Sequence, residues 1–177
     1  MINIKTESHG MSPSFPLTPI DTPRIAFVEP LRGRQPVPVR EGGLLTVPAS
    51  DLSLEAVRGD WLNRLLAWGE PFCSWAKTHA LKRSIGQGEY PNCPLSLTDA
   101  KVILAFFEEI RLVGCSQLTI SCEYGKSRSV TTAQLLDAYQ NGKVLPAPAE
   151  AKNGHFIMML ALAIQESAMQ TNTIKKT

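Results

Sequence analysis

The sequence predicts an α/β fold with a mostly parallel sheet, because short strand-like apolar runs alternate with longer segments of helical periodicity. The strand-like runs cover residues 24–28, 44–47 and 117–121. The chain has 177 residues, 44% of them hydrophobic and 19% charged, which is enough apolar material for one packed domain. We expect a flexible Pro-rich arm over residues 1–23, a single domain over 24–170 and a polar tail over 171–177.

Four segments carry apolar residues at helical spacing. The first covers residues 52–83 and is interrupted near its middle by a glycine and a proline, so we expect a kink or two helices there. The second covers 97–111, where Ser96 and Asp99 form an approximate capping pattern. The others cover 128–140 and 154–169.

Charge and composition narrow the classes of partner. Lys and Arg number 18 against 16 Asp and Glu, and this balance gives no sign of a nucleic-acid partner. No apolar run approaches the ~18 residues of a membrane helix. The polar N-terminus has no signal-peptide pattern, so we expect a cytoplasmic protein. A basic loop carries Arg32, Arg34 and Arg40, which are either solvated or attract an anion.

The stretch from Ser121 to Ser129 lies between a predicted strand and a predicted helix and carries the candidate residues for anion binding and catalysis. Backbone amides and a helix N-terminus converge at such junctions and bind anions. Cys122 at the start of the loop would be stabilised as a thiolate, a strong nucleophile. Arg128 can hold two phosphoryl oxygens with its planar fork, and Gly125 allows close backbone approach. A nucleotide P-loop is excluded, since position 120 is isoleucine rather than glycine.

The pattern C-x-x-G-x-x-R-S in this setting resembles the signature loop of cysteine-dependent protein tyrosine phosphatases. Its position late in the chain is similar to that in the dual-specificity branch. The stretch from Leu145 to Asn153 before a final helix resembles small bacterial phosphatase-like proteins. The resemblance covers about residues 80–168. It implies a phosphatase-like three-layer sandwich with a central, mostly parallel sheet flanked by helices. It also implies that Cys122 is the nucleophile, that Arg128 binds the phosphoryl group and that Ser129 assists hydrolysis of the phosphocysteine. The amides of the loop would cradle the phosphate oxygens without metal or cofactor, and the loop residues concerned are Glu123, Tyr124, Gly125, Lys126 and Ser127.

Two departures from that family pattern bear on activity. The family usually has a histidine before the cysteine, where this chain has Ser121. The family's general acid is an aspartate on a loop that would correspond to residues 84–96, where Glu89 is the only carboxylate. Glu89 is therefore the first candidate for the acid, and Asp51 is the alternative if residues 52–83 are an insertion.

Two functions follow as expectations. The first is a phosphomonoester hydrolase that acts through a phosphocysteine intermediate on a phosphorylated protein or a small phosphomonoester. The second is a binding module that holds phosphate or a phosphoprotein in the same loop without turnover.

Overall fold

The three predicted strands and the three predicted helices that lie within the described residues are present, and two further strands join them. The computed structural model describes residues 1–10, 15, 18–29, 37–51, 93–146 and 153–174. Its elements are strands β1 (Asn3–Ser8), β2 (Arg24–Val28), β3 (Val39–Glu41), β4 (Leu44–Pro48) and β5 (Gln117–Cys122), with helices α1 (Leu97–Leu112), α2 (Arg128–Gln140) and α3 (Gly154–Ile174). The strands form one five-stranded sheet that packs against the three helices, which confirms the predicted α/β class.

The sheet has the strand order β1-β5-β2-β4-β3. The pairs β1–β5, β5–β2 and β2–β4 are parallel, and only β3 runs antiparallel to its neighbour β4. Four strands therefore end at the same edge of the sheet, which is the edge where α/β proteins bind ligands. The residues that follow or close these four strands are His9, Cys122, Glu29 and Asp51.

The core lies between the sheet and the helices. Strands β2 and β5 each contain three consecutive buried residues, as expected for parallel strands that are covered on both faces. Phe27 packs edge-on against Phe156, with ring centroids 5.1 Å apart. Each fully buried side chain of this size contributes about 1.5–3 kcal/mol. The large buried members include Ile25, Phe27, Leu45, Ile103, Phe107, Ile110, Leu118, Ile120 and Phe156.

The capping pattern predicted for α1 is confirmed. The Ser96 hydroxyl oxygen accepts a hydrogen bond from the Asp99 amide at 3.1 Å, and the Asp99 carboxylate accepts one from the Ser96 amide at 2.9 Å. Two amides that the helix itself cannot satisfy are thus paired.

The N-terminal segment differs from the flexible arm expected over residues 1–23. Asn3–Ser8 is strand β1, and each of its residues has a register partner on β5. Ile2 is buried, and its backbone exchanges two hydrogen bonds with the Gln140 side chain at 3.0 and 2.9 Å. The prolines that predicted an arm begin only at Pro13, so residues 3–8 are free to pair.

The C-terminal boundary differs as well. The chain from 171 was expected to be a polar tail, but α3 continues to Ile174. Residues 171–174 contain neither glycine nor proline, so nothing in them ends a helix.

The helix predicted over residues 52–83 and the loop residues 84–92 lie outside the described residues. None of the described helices combines the length and the apolar character that a membrane-spanning helix needs.

Arg40 has a structural partner rather than the anion suggested for it. Its guanidinium donates to both carboxylate oxygens of Glu109, at 2.5 and 2.7 Å, and lies 5.2 Å from the centre of the Phe106 ring. This fork-to-fork pair lowers the pKa of Glu109 and connects β3 to α1. Arg32 and Arg34 lie outside the described residues.

Candidate active site

The predicted strand, loop and helix around Cys122 are all present. Strand β5 ends at Cys122, the loop covers residues 123–127, and α2 begins at Arg128. Cys122 is the register partner of Ser8 on β1 and of Phe27 on β2, so it lies in the middle strand of three. The loop therefore follows an interior strand of the sheet rather than an edge strand.

The thiol of Cys122 is buried at the base of this loop, and its Sγ lies 3.2 Å from the Ser129 Oγ. Burial raises the pKa of the thiol, but four other effects lower it. They are hydrogen bonds from the Ser129 hydroxyl, the Ser129 amide and the Ser127 amide, and the charge of Arg128. The net effect lowers the pKa of Cys122 below its ordinary value, so more of the sulfur is thiolate near neutral pH.

The guanidinium of Arg128 is held in place by two hydrogen bonds from one of its nitrogens, Nη1. The side chain is only 2% exposed, and its Nη1 donates to the Ala49 carbonyl and to the Glu29 carboxylate, each at 2.6 Å. Its Nη2 lies 3.9 Å from the Glu123 carboxylate. Its Nε is buried and has no hydrogen-bond partner among the described residues. A buried donor left unpaired costs roughly 1–3 kcal/mol, and an anion in the loop would supply the missing acceptor.

Gly125 is required by the shape of the loop. Its φ is +64°, a left-handed conformation that favours glycine. A Cβ at this position would lie 3.0 Å from the Glu7 carbonyl carbon and 3.0 Å from the Ser8 nitrogen. The Gly125 amide donates to the Cys122 carbonyl at 3.2 Å, so it closes the turn of the loop. The Gly125 amide thus has a partner inside the loop, and its contact with a phosphate oxygen stays a prediction.

The end of β1 supports the loop from beneath. The His9 and Gly10 amides donate to the carbonyls of Cys122 and Glu123 at 3.2 and 3.1 Å. The Ser8 hydroxyl also donates to the Glu123 carbonyl. Backbone pairing between the first strand and β5 thus continues into the loop itself.

Asp51 contacts the last residue of the loop, Ser127. Its Oδ1 accepts hydrogen bonds from the Ser127 hydroxyl at 2.7 Å and from the Asn153 Nδ2 at 2.8 Å. Asn153 is buried and also accepts from the Phe156 amide at the start of α3. The structure therefore brings the alternative acid residue to the loop, whereas Glu89 lies outside the described residues.

Sequence reasoning missed Glu29 and His9. Glu29 directly follows β2, as Asp51 follows β4 after two intervening residues. The signal that could have found Glu29 is its position at the carboxyl end of a parallel strand. His9 gave no such signal, because β1 itself was not predicted.

The remaining loop positions divide into buried and exposed groups. Ser121, where the phosphatase family usually has histidine, is fully buried, and its Oγ has no hydrogen-bond partner in the described part of the chain. Tyr124 and Lys126 are exposed at the mouth of the loop, with Tyr124 61% exposed. The described cysteines, Cys93, Cys115 and Cys122, are thiols that form no disulfide with one another. Over the same residues, no group of three His, Cys, Asp or Glu side chains could hold a metal ion.

Comparison with known proteins gives no match: no protein-family model, no curated protein and no solved structure matches the chain. The function is therefore argued from the residues and geometry of the loop.

Proposed function

We propose that this protein is a phosphomonoester hydrolase of the cysteine-dependent protein tyrosine phosphatase type. The observation that supports it most strongly is the pairing of two groups at the ends of one loop. Cys122 has a lowered pKa at one end, and the buried Arg128 offers an unpaired Nε at the other. A nucleophile and a fixed cation beside a helix N-terminus are what attack on a phosphate dianion requires.

The reaction would proceed in two displacements. The Cys122 thiolate attacks phosphorus, an S–P bond forms, and the P–O bond to the leaving group breaks while an acid gives that oxygen a proton. Water then attacks the phosphocysteine, the S–P bond breaks, and the acid residue takes the proton from water. Ser129 hydrogen-bonds the departing thiolate, and Arg128 neutralises charge on the phosphoryl oxygens in both steps.

The acid in this proposal is Asp51, because its carboxylate contacts Ser127 within the loop. Glu89 stays a sequence prediction. Replacing Asp51 by Asn should slow the hydrolysis of phenyl phosphate about 100-fold or more, within the range ascribed to general acid catalysis. The hydrolysis of p-nitrophenyl phosphate should slow less, because nitrophenolate leaves without a proton. Equal losses for the two substrates would contradict the assignment.

The proposal as a whole is tested with Cys122→Ser. We expect the wild type to hydrolyse p-nitrophenyl phosphate in a vanadate-sensitive reaction, and we expect Cys122→Ser to have no measurable activity. Cys115→Ser is the matched control, because this free thiol bonds the Ile20 carbonyl away from the loop and its loss should leave the rate unchanged. A Cys122→Ser protein as active as the wild type would rule out a phosphocysteine.

The substrate class in this proposal is a phosphorylated protein or a small phosphomonoester, and the chemistry needs neither metal nor cofactor. The cytoplasmic location expected from the sequence stays a prediction.

One observation favours the binding module as a second candidate. The Asp51 Oδ1 already accepts from two donors, Ser127 and Asn153, so a proton for a leaving group has to be carried on the other oxygen. A binding module predicts affinity for inorganic phosphate with no turnover of any phosphomonoester. In that case Arg128→Ala should abolish phosphate binding measured by calorimetry.

A further inference from the structure

The imidazole of His9 spans the strand that carries the nucleophile. His9 follows β1, and its Nε2 lies 2.8 Å from the Phe27 carbonyl oxygen on β2. Strand β5 lies between β1 and β2. Since Phe27 is the register partner of Cys122, the ring crosses β5 at the level of the reactive cysteine.

Both ring nitrogens of His9 contact carbonyl oxygens. Nδ1 lies 2.8 Å from the Gly10 carbonyl oxygen, and Nε2 has the contact to Phe27. A carbonyl oxygen only accepts hydrogen bonds. A neutral imidazole has one N–H to donate, whereas the imidazolium has two. Only the protonated ring can therefore make both hydrogen bonds at once.

We infer that His9 is a positioning residue for Cys122. The protonated ring of His9 holds the carboxyl ends of β1 and β2 together next to the loop. Its backbone amide already donates to the Cys122 carbonyl, so ring and backbone act on the same segment. Loss of the ring proton removes one of the two ring hydrogen bonds and loosens the loop. The inference rests on the proposed function only for the use of the thiolate in turnover.

The ionisable groups on the surrounding elements have partners of their own. On β1, Glu7 pairs with Arg24 of β2 at 3.0 Å. After β2, Glu29 pairs with Arg128, and in the loop Glu123 lies 3.9 Å from the same guanidinium. The Phe15 ring packs edge-on against the imidazole, with centroids 5.3 Å apart. The described charged groups around the ring thus pair with one another, and the hydrogen-bond partners of the two imidazole nitrogens are carbonyl oxygens.

The test measures the alkylation of Cys122 by iodoacetamide as a function of pH, with the modified residue identified by peptide mass spectrometry. His9→Gln removes the charge, and His9→Arg keeps a permanent charge with several donors. At about pH 6 we expect His9→Gln to react about tenfold more slowly than the wild type, the factor that loss of one hydrogen bond to a charged group gives. His9→Arg should keep the wild-type rate at this pH.

The shape of the pH profile separates positioning from a merely structural role. Both variants should follow the titration curve of a single thiol, with the midpoint for His9→Arg at lower pH than that for His9→Gln. Lys5→Gln, which removes a charge from an exposed position on the same strand, should give the wild-type profile. A His9→Gln profile identical to the wild type, or His9→Arg behaving like His9→Gln, would overturn the inference.

A second measurement applies if His9→Gln does not fold. Nitrogen-15 spectra of the wild-type imidazoles, assigned through bonds, report which ring nitrogens carry protons. Protons on both His9 nitrogens at about pH 6 support the inference, and a single neutral tautomer overturns it. Neither measurement uses phosphatase activity, so a chain without turnover can still pass this test.

Discussion

At the scale of single residues, Arg128 shows how a buried cation can be prepared for an anion. Both strong contacts of its guanidinium, to Glu29 and to the Ala49 carbonyl, are made by Nη1. The nitrogens that remain, Nε and Nη2, are the pair that can bind two oxygens of one phosphoryl group side by side. Because the side chain is fixed by the protein, little rotamer entropy is lost when an anion binds.

The hydroxyl of Ser129 should control the acidity of Cys122. Ser129→Ala removes the side-chain hydrogen bond that lowers the pKa of the thiol but keeps the Ser129 amide. The thiolate forms as pH rises through the pKa, so the midpoint for alkylation should move to higher pH in the variant. We expect slower alkylation of Cys122 near neutral pH and equal rates well above the ordinary thiol pKa. Ser129→Thr, which keeps a hydroxyl, is the control, and a Ser129→Ala midpoint at or below that of the wild type would contradict this account.

At the scale of elements, α1 is stabilised by its N-terminal cap. Ser96→Ala should lower the free energy of unfolding by about 1 kcal/mol, because the Asp99 amide loses its acceptor at the buried start of the helix. Urea unfolding measures the change. Ser96→Thr keeps the hydroxyl and should recover most of the loss, whereas equal stability of wild type and Ser96→Ala would show that the cap contributes nothing.

Elements with local signals were predicted with nearly correct boundaries. Helix α1 has its capping residues and a following glycine, and α2 begins directly after the loop. Strands β1 and β3 were missed, because both lie at the edges of the sheet and are mostly exposed. Such strands lack the alternating apolar pattern, and their pairing depends on a neighbour that is distant in sequence.

At the scale of the whole molecule, the site is assembled by strand order. Cys122 and Arg128 were found from a local motif, whereas Glu29 and His9 reach the loop only because β2 and β1 flank β5. Asp51 arrives with β4 in the same way. Sequence spacing does not reveal which strands are neighbours, so three of the four carboxyl-edge residues could not be placed at the loop beforehand.

The same reasoning holds the N-terminal segment in the fold, because Ile2, directly before β1, is buried in the core. Ile2 is 3% exposed, so Ile2→Ala should lower the free energy of unfolding by about 2–5 kcal/mol, the usual cost of such a truncation in a core. Lys5→Ala, at an exposed position of β1, should change it by less than about 0.5 kcal/mol. Urea unfolding followed by circular dichroism compares the two.

The comparison of these variants decides between a strand and an arm. The flexible arm expected over residues 1–23 would make both variants as stable as the wild type, since neither side chain would be buried in the native state. A loss confined to Ile2→Ala would mean that β1 is held in the sheet, and with it the Glu7–Ser8 backbone against which Gly125 packs. Because Gly125 closes the turn that begins at Cys122, Ile2→Ala should also slow Cys122 alkylation near neutral pH, and Lys5→Ala should not.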